Sequence, residues 1–261
     1  MRDLLNDIAE GLSHPDPIRR AQIQMKKPLP KRFYKAVTIG ELDEGFSIEL
    51  DGKAIRTPAR KLLIVATKPL AELVAREWEA QAELIDPSTM PVTRLVNTAI
   101  DGVATDTQAV FEDILRFSSS DLLCYRADGP EALVERQKEL WDPVLDWASD
   151  GLGARFILIE GVMHHDQPPE AISAFSSALR RHDSATALAA LHTITTLTGS
   201  ALLALAFAEG VLSGKKVWSL AHLDEDWTIE HWGSDEEAEE RREKRFEDFE
   251  AATDVFLALK G

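Results

Sequence analysis

From Tyr34 onward the apolar residues fall on every second position. Val37 and Ile39, then Phe46, Ile48 and Leu50, alternate with polar neighbours as half-buried strands do. Leu50-Asp51-Gly52-Lys53 carries the Asp-Gly signal of a two-residue hairpin turn, so Ala54–Arg56 is expected to return beside Ile48. After Pro58, the run Leu62–Val65 predicts a further and more deeply buried strand. Together these segments predict a small antiparallel sheet. The period then lengthens to that of a helix: Leu70, Leu73, Val74, Trp78 and Ile85 recur behind Thr67, a capping residue, and Pro69, which suits a first turn. This helix should lie on the sheet with Trp78 facing it.

Pro87 and Pro91 interrupt the chain around Met90 and predict a hinge. Beyond it the pattern is mostly helical, over Val92–Ile100, Thr107–Phe117, Glu131–Ala148, Pro169–His182 and Thr186–Leu212, with Arg155–Glu160 as a lone strand. Ala185–Ala208 is apolar on most sides and predicts a buried central helix, which Gly199-Ser200 divides or packs closely. Asp142 is expected to cap a helix restarting at Pro143, and Ser119 or Ser120 to act as a helix cap. At the C-terminus, Ser234 and Glu237 have the S-x-x-E spacing of a capping box, with Asp235, Glu236 and Glu237 in the first turn. Glu237–Arg241 and Glu240–Lys244 are favourable i, i+4 pairs. An apolar stripe appears only from Phe246, through Phe249, Ala252, Phe256 and Leu259, so the far half of this helix should be docked and the near half free. Residues 1–25 can form a short amphipathic helix broken by Pro15 and Pro17, followed by a basic, proline-stiffened link over Lys26–Arg32. The predicted fold class is α+β: a small antiparallel β-rich N-terminal domain followed by a mostly α-helical C-terminal domain. The expected organisation is an arm over 1–30, a β-rich domain with one covering helix over 31–89, and a helical domain over 90–261 ending in a long charged helix.

Composition narrows the function. A formal net charge of -16 over 261 residues argues against a nucleic-acid partner, which needs a basic surface to displace counterions. One cysteine, Cys124, excludes an internal disulfide and a cysteine zinc cage, and points to a reducing compartment. No apolar run reaches the ~20 residues of a membrane span, and the acidic N-terminus lacks the pattern of a secretory signal.

Catalytic chemistry finds little support. Gly151-Leu152-Gly153 lacks the lysine and following helix of a phosphate loop. His164, His165 and Asp166, with His182-Asp183 further on, offer metal-ligating residue types and define an alternative reading as a metal-assisted hydrolase. Adjacent histidines on an extended segment point oppositely, however, which favours a polar turn ahead of Pro168-Pro169. Ser118-Ser119-Ser120-Asp121 with His192 lacks the strained turn of a nucleophile elbow. Asp142, next to Trp141, and Cys124, with only Arg126 nearby, each lack the second group that activation requires. A binding role remains. Of six tryptophans, Trp227 and Trp232 border the acidic helix, and tryptophans are strong interface anchors.

Seven segments, in order along the chain, carry a resemblance to a known family: K-R-F-Y-K (31–35), L-D-G-K-A-I-R-T-P (50–58), E-W-E-A-Q (77–81), M-P-V-T-R-L-V-N-T-A-I-D (90–101), D-L-L-C-Y-R (121–126), Q-K-E-L-W-D-P-V-L-D-W (137–147) and D-E-D-W-T-I-E-H-W-G-S-D-E-E-A (224–238). They resemble the assembly chaperones for the α subunit of the F-type ATP synthase catalytic head. The resemblance implies a β-rich part followed by a helical part, no catalysis and no cofactor. It implies a protein that holds the unassembled α subunit, preventing its aggregation until it pairs with the β subunit. It also implies action as a monomer when free, in a bacterial cytoplasm, since the arginine-rich presequence of mitochondrial relatives is lacking. By the same resemblance Trp78 is a structural tryptophan and Glu240 falls at the family's functional carboxylate. Glu236, Glu237 and Glu239 are neighbouring candidates on that helix, with Trp232 beside them. A general holdase is the second alternative.

Overall fold

The computed structural model describes residues 28–160 and 165–260; the helix expected within 1–25 and His164 lie outside them. The hairpin forms as the sequence dictates. Strands β1 (Val37–Leu42) and β2 (Gly45–Leu50) pair antiparallel, Val37 opposite Leu50 through Leu42 opposite Gly45. Asp51 and Gly52 turn the chain with φ of 49° and 76°, the doubly left-handed geometry that an Asp-Gly turn tolerates. Short β3 (Lys53–Ala54) and β4 (Ile64–Val65) both pair with β2, leaving β1 at the edge. Helix α1 (Lys68–Glu79) starts as expected, with Thr67 Oγ1 accepting from the N–H of Leu70 and proline in the first turn. It buries Leu70, Ala71 and Val74 against the sheet, and Trp78 packs on the ring of Tyr34 at 5.8 Å.

Nine further helices follow among the described residues: α2 (Pro91–Asp101), α3 (Thr107–Ser118), α4 (Glu131–Leu152), α5 (Pro169–Leu179), α6 (Ala185–Thr198), α7 (Ala201–Ala208), α8 (Gly214–Ala221), α9 (Leu223–Trp232) and α10 (Glu236–Ala258). Helix α6 is central, packed by α2, α3, α7 and α10. Gly199, at φ 68°, ends α6, and Ser200 caps α7 through the N–H of Leu203, so the long apolar stretch is two helices.

Three expectations need correction. Pro143 does not restart a helix: α4 runs unbroken through it, and Asp142 pairs with Arg126 at 2.8 Å instead of capping. Pro143 is exposed, so water can serve the carbonyl its missing N–H leaves free. The segment ending at Glu160 is not a lone strand, because β6 (Ile159–Glu160) pairs in parallel with β5 (Tyr125–Arg126). The cap of α10 is Asp235 and not Ser234; Asp235 accepts from the N–H of Ala238 at 2.9 Å, while the hydroxyl of Ser234 donates to Glu239.

The seven sequence segments turn out to be bonded to one another in two groups, 31–35, 50–58, 77–81 and 90–101 in one and 121–126, 137–147 and 224–238 in the other. Glu77 accepts from the N–H groups of Val92 and Thr93, both at 2.7 Å, and from the Thr93 hydroxyl at 2.6 Å, capping α2, whose own N-cap Met90 offers no side chain. Arg32 donates to the carbonyls of Glu79 and Gln81, and Tyr34 to that of Trp78. Thr57 and the N–H of Ala59 bind the carboxylate of Asp101. Trp141, fully buried, donates to the carbonyl of Leu220, and Gln137 reaches Asp224 at 2.8 Å. These bonds account for several polar members of the motifs as joints of the fold and leave most of the exposed side chains of α9 and α10 to be explained otherwise.

Candidate interaction surface

Helix α9 has acidic residues Asp224, Glu225 and Asp226 in its first turn, where they complement the helix dipole, and buries only Leu223. It is held to the body by ion pairs. Arg136 grips Glu230 through two bonds of 2.6 and 2.9 Å, and Arg242 of α10 meets Asp226 at 2.6 Å. The Trp227 ring stacks on His231 at 4.2 Å. Beneath, His222 is buried against Trp218 at 3.8 Å, and burial pushes its pKa below the usual value, keeping the imidazole neutral at physiological pH. Gly233, at φ 80°, then swings the chain into α10 and leaves Trp232 at the corner, 74% exposed.

Helix α10 divides as its pattern predicts. Phe249, Ala252, Val255 and Phe256 are buried, whereas residues 235–245 are exposed apart from Ala238 and Arg242. Its arginines are tethered, Arg241 to Glu237 at 2.6 Å, Arg242 to Asp226, and Arg245 to the carbonyl of Leu197 at 2.8 Å, whereas Lys244 is exposed and the expected Glu240–Lys244 ion pair does not form. Among the described residues Glu236, Glu240, Glu243, Glu247 and Glu250 have neither an ion pair nor a hydrogen bond to their carboxylates. Their spacing of four, three, four and three places them on one helix face. The result is a stripe of free carboxylates about 20 Å long at the helical rise. Beside it lies a shallow cleft of about 300 Å3 lined by Trp218, Glu239, Arg242, Glu243 and Phe246.

Of the residues singled out from sequence, Glu236, Glu240 and Trp232 therefore lie free on one surface. Glu237 and Glu239 lie on it too but are engaged locally, by Arg241 and Ser234. Glu243, Glu247 and Glu250 were missed, although their heptad-like spacing with Glu240 was the available signal. Trp78 stands elsewhere, at the joint of α1 with the segment around Tyr34, its Nε1 buried without a hydrogen-bond partner among the described residues.

The catalytic alternatives do not assemble among the described residues. No group of three or more metal-ligating side chains is found there; His165 and Asp166 are exposed. His192 pairs with Asp113 at 2.6 Å and His182 with Glu209 at 2.8 Å, while the hydroxyls of Ser118 and Ser119 donate to the carbonyls of Leu115 and Arg116 and not to a histidine. Ser119 closes the end of α3 as its C-cap, and Asp121 is buried against Ser200. Burial pushes the Cys124 thiol well above its usual range, with Asp121 adding to the effect, so it stays a thiol and not a reactive thiolate.

A family model described as ATP12 chaperone protein matches residues 31–149. The crystal structure of Atp12 from Paracoccus denitrificans superposes with a TM-score of 0.82 at 37% identity, covering 88% of this chain and 98% of that one. The chain belongs to the ATP12 chaperone family. A crystal structure of an Agrobacterium tumefaciens protein is closer still, with a TM-score of 0.88 at 67% identity over 99% of this chain and 97% of that one. The mitochondrial protein atp12 of Schizosaccharomyces pombe is 25% identical over 233 residues, 85% of this chain and 80% of its own length. The resemblance carried by the seven segments thus holds at the level of the family, and so does the fold class, a small antiparallel β region followed by a helical part. As a member of the ATP12 family the chain is a chaperone. Among its described residues no helix is long and apolar enough to cross a membrane.

Proposed function

We propose that this chaperone binds the unassembled α subunit of the F-type ATP synthase and prevents its aggregation until the β subunit takes its place. Membership of the ATP12 family carries the reading. An unassembled subunit exposes apolar surface meant for its neighbour, and such patches drive self-association. A chaperone that covers the patch with moderate affinity yields when the true partner, binding more tightly, competes. In this reading the corner at Trp232 supplies an apolar anchor, and the free carboxylates around Glu240 meet a basic edge of the client, speeding encounter. The protein acts as a monomer in the bacterial cytoplasm; the bacterial relatives support that setting.

The test is capture of purified α subunit and suppression of its aggregation. Glu240→Lys is expected to slow association several-fold at low salt, with the deficit shrinking as salt screens the stripe. Equal capture by the folded variant at all salt concentrations removes Glu240 from the contact. Trp232→Ala is expected to leave the melting temperature within about 2 °C of the parent, because the ring is 74% exposed, while weakening capture about tenfold or more. A general holdase would instead capture unrelated unfolded proteins as well as it captures the α subunit.

A further inference from the structure

Strand β1 occupies the edge of the sheet, and its register fixes which backbone groups are spent. The N–H of Asp51 donates to the carbonyl of Ala36 at 3.0 Å, which makes Ala36 and Asp51 a hydrogen-bonded pair. Antiparallel pairing alternates from there, so Thr38, Gly40 and Leu42 bond to β2, and the N–H and C=O groups of Val37, Ile39 and Glu41 point away from it. No backbone bond among the described residues takes up those six groups. Open edges are usually blunted by charged side chains, above all lysine, or by a proline, a bulge or a very short strand. Here V-T-I-G-E-L runs six residues in unbroken register with no lysine, proline or bulge, and Glu41 is its one charged residue.

Alongside the edge runs a groove of about 490 Å3 lined by Val37, Ile39, Glu72, Ala75, Arg76 and Glu79. Its floor is apolar and its rim carries two carboxylates to one guanidinium. Glu72 has no ion pair among the described residues, and Glu79 is only loosely held by Arg32 at 3.4 Å with its side chain 59% exposed.

We propose that the outer edge of β1 and this groove accept an extended segment of the client as an added strand. On the face turned toward α1 the segment carries small apolar side chains, which fill the floor over Ala75, and, two residues along on that same face, a basic side chain that meets Glu72 and Glu79. Backbone bonds to Val37, Ile39 and Glu41 hold it irrespective of most of its sequence, the property a chaperone needs for a region not yet in its final pairing. This rests on the α subunit being the client, and adds a second contact far in sequence from the acidic helix.

The test is amide hydrogen exchange of the full-length protein, free and with purified α subunit. The outward amides of Val37, Ile39 and Glu41 should exchange quickly in the free protein and about tenfold or more slowly in the complex, while Thr38, Gly40 and Leu42 are protected in both. Glu41→Pro removes one outward donor and places a ring on the edge without touching a bond to β2; it should weaken capture about tenfold, with Glu41→Ala close to the parent. Glu72→Lys should weaken it several-fold. Capture by the parent with no change in the three outward amides overturns the strand site and leaves the function standing. So does protection already present in the free protein, which assigns the edge to residues 1–27 if deleting them abolishes it, or to a second copy if it scales with concentration. Failure of the parent to capture the α subunit overturns both.

Discussion

Replacing Glu77 with alanine is expected to cost about 3 kcal/mol of folding stability and to lower the melting temperature by roughly 10 °C. The carboxylate serves three donors at once, the N–H groups of Val92 and Thr93 and the Thr93 hydroxyl, all within 2.7 Å. Nothing else caps α2, because Met90 precedes it without a capping side chain. Truncation leaves two partly buried N–H groups without acceptors and removes the stabilising charge at a helix N-terminus. Hydrogen bonds to a charged group contribute about 1.5–3 kcal/mol each in isolation; three that share one carboxylate sum to less than three times that, and relief of its desolvation offsets part of the loss. That desolvation is real: burial holds the Glu77 pKa above the usual carboxylate value despite its donors. Glu77→Gln keeps one acceptor but turns an amide N–H toward the remaining donors, so its loss should fall between parent and alanine variant. Urea unfolding checks the order. An unchanged m-value with a lowered midpoint marks loss of a joint within one cooperative unit; a reduced m-value marks uncoupling of α2 from the sheet. A loss below about 1 kcal/mol for Glu77→Ala contradicts the capping role.

Such joints explain what the sequence showed and what it hid. Elements defined by local pattern were legible: the Asp51-Gly52 hairpin, the Thr67-capped α1 and the half-docked α10 each follow from residues within a few positions of one another. Helices α8 and α9 were not read. The five residues from Asp224 to Thr228 are four polar ones and a tryptophan, and α9 buries only Leu223, so no apolar stripe announces it; it is fixed instead by Arg136 and Arg242, from elsewhere in the chain. The β5–β6 pair joins segments of two residues each across more than thirty positions, beyond any local signal. At the candidate surface, charge and exposure were legible, but the division of glutamates into tethered and free was not. Glu239 is occupied by a serine before the helix begins, and Arg242 is drawn away to Asp226, leaving Glu243 uncompensated. Motif matching found the family largely through residues whose work is structural; the exposed side chains of α10 carry no comparable geometric constraint.

The second large effect is expected at Asp121, whose carboxyl is fully buried. Its oxygens accept from the Ser200 hydroxyl at 2.7 Å, the N–H of Leu202 at 2.9 Å and the N–H of Leu123 at 3.1 Å, which ties the turn before β5 to the start of α7. Burial pushes its pKa up to about 6 against the pull of these donors. The folded protein therefore holds a proton that the unfolded chain, with a carboxyl near 3.8, has already released. The contribution of this proton to stability is fully present below pH ~4 and is lost as pH rises through ~6. Over two units that amounts to about 3 kcal/mol, of which roughly 1 kcal/mol falls between pH 5 and pH 7. Asp121→Ala forfeits all three bonds and opens a small cavity, but it also removes a buried charge at neutral pH. Its cost should therefore be largest in acid, about 3–4 kcal/mol at pH 5, and smaller by roughly 1 kcal/mol at pH 7. Asp121→Asn keeps an acceptor for Leu202 and can donate to the Ser200 oxygen, losing only the bond from Leu123, so it should cost about 1–2 kcal/mol at pH 5 and approach the parent at pH 7. Denaturant midpoints for the three proteins at pH 5, 6 and 7 check the sign: both differences must shrink as pH rises. Differences that grow with pH would mean that the carboxylate, held by its donors at the N-terminus of α7, is the favoured buried form, with a pKa below the ordinary aspartate value.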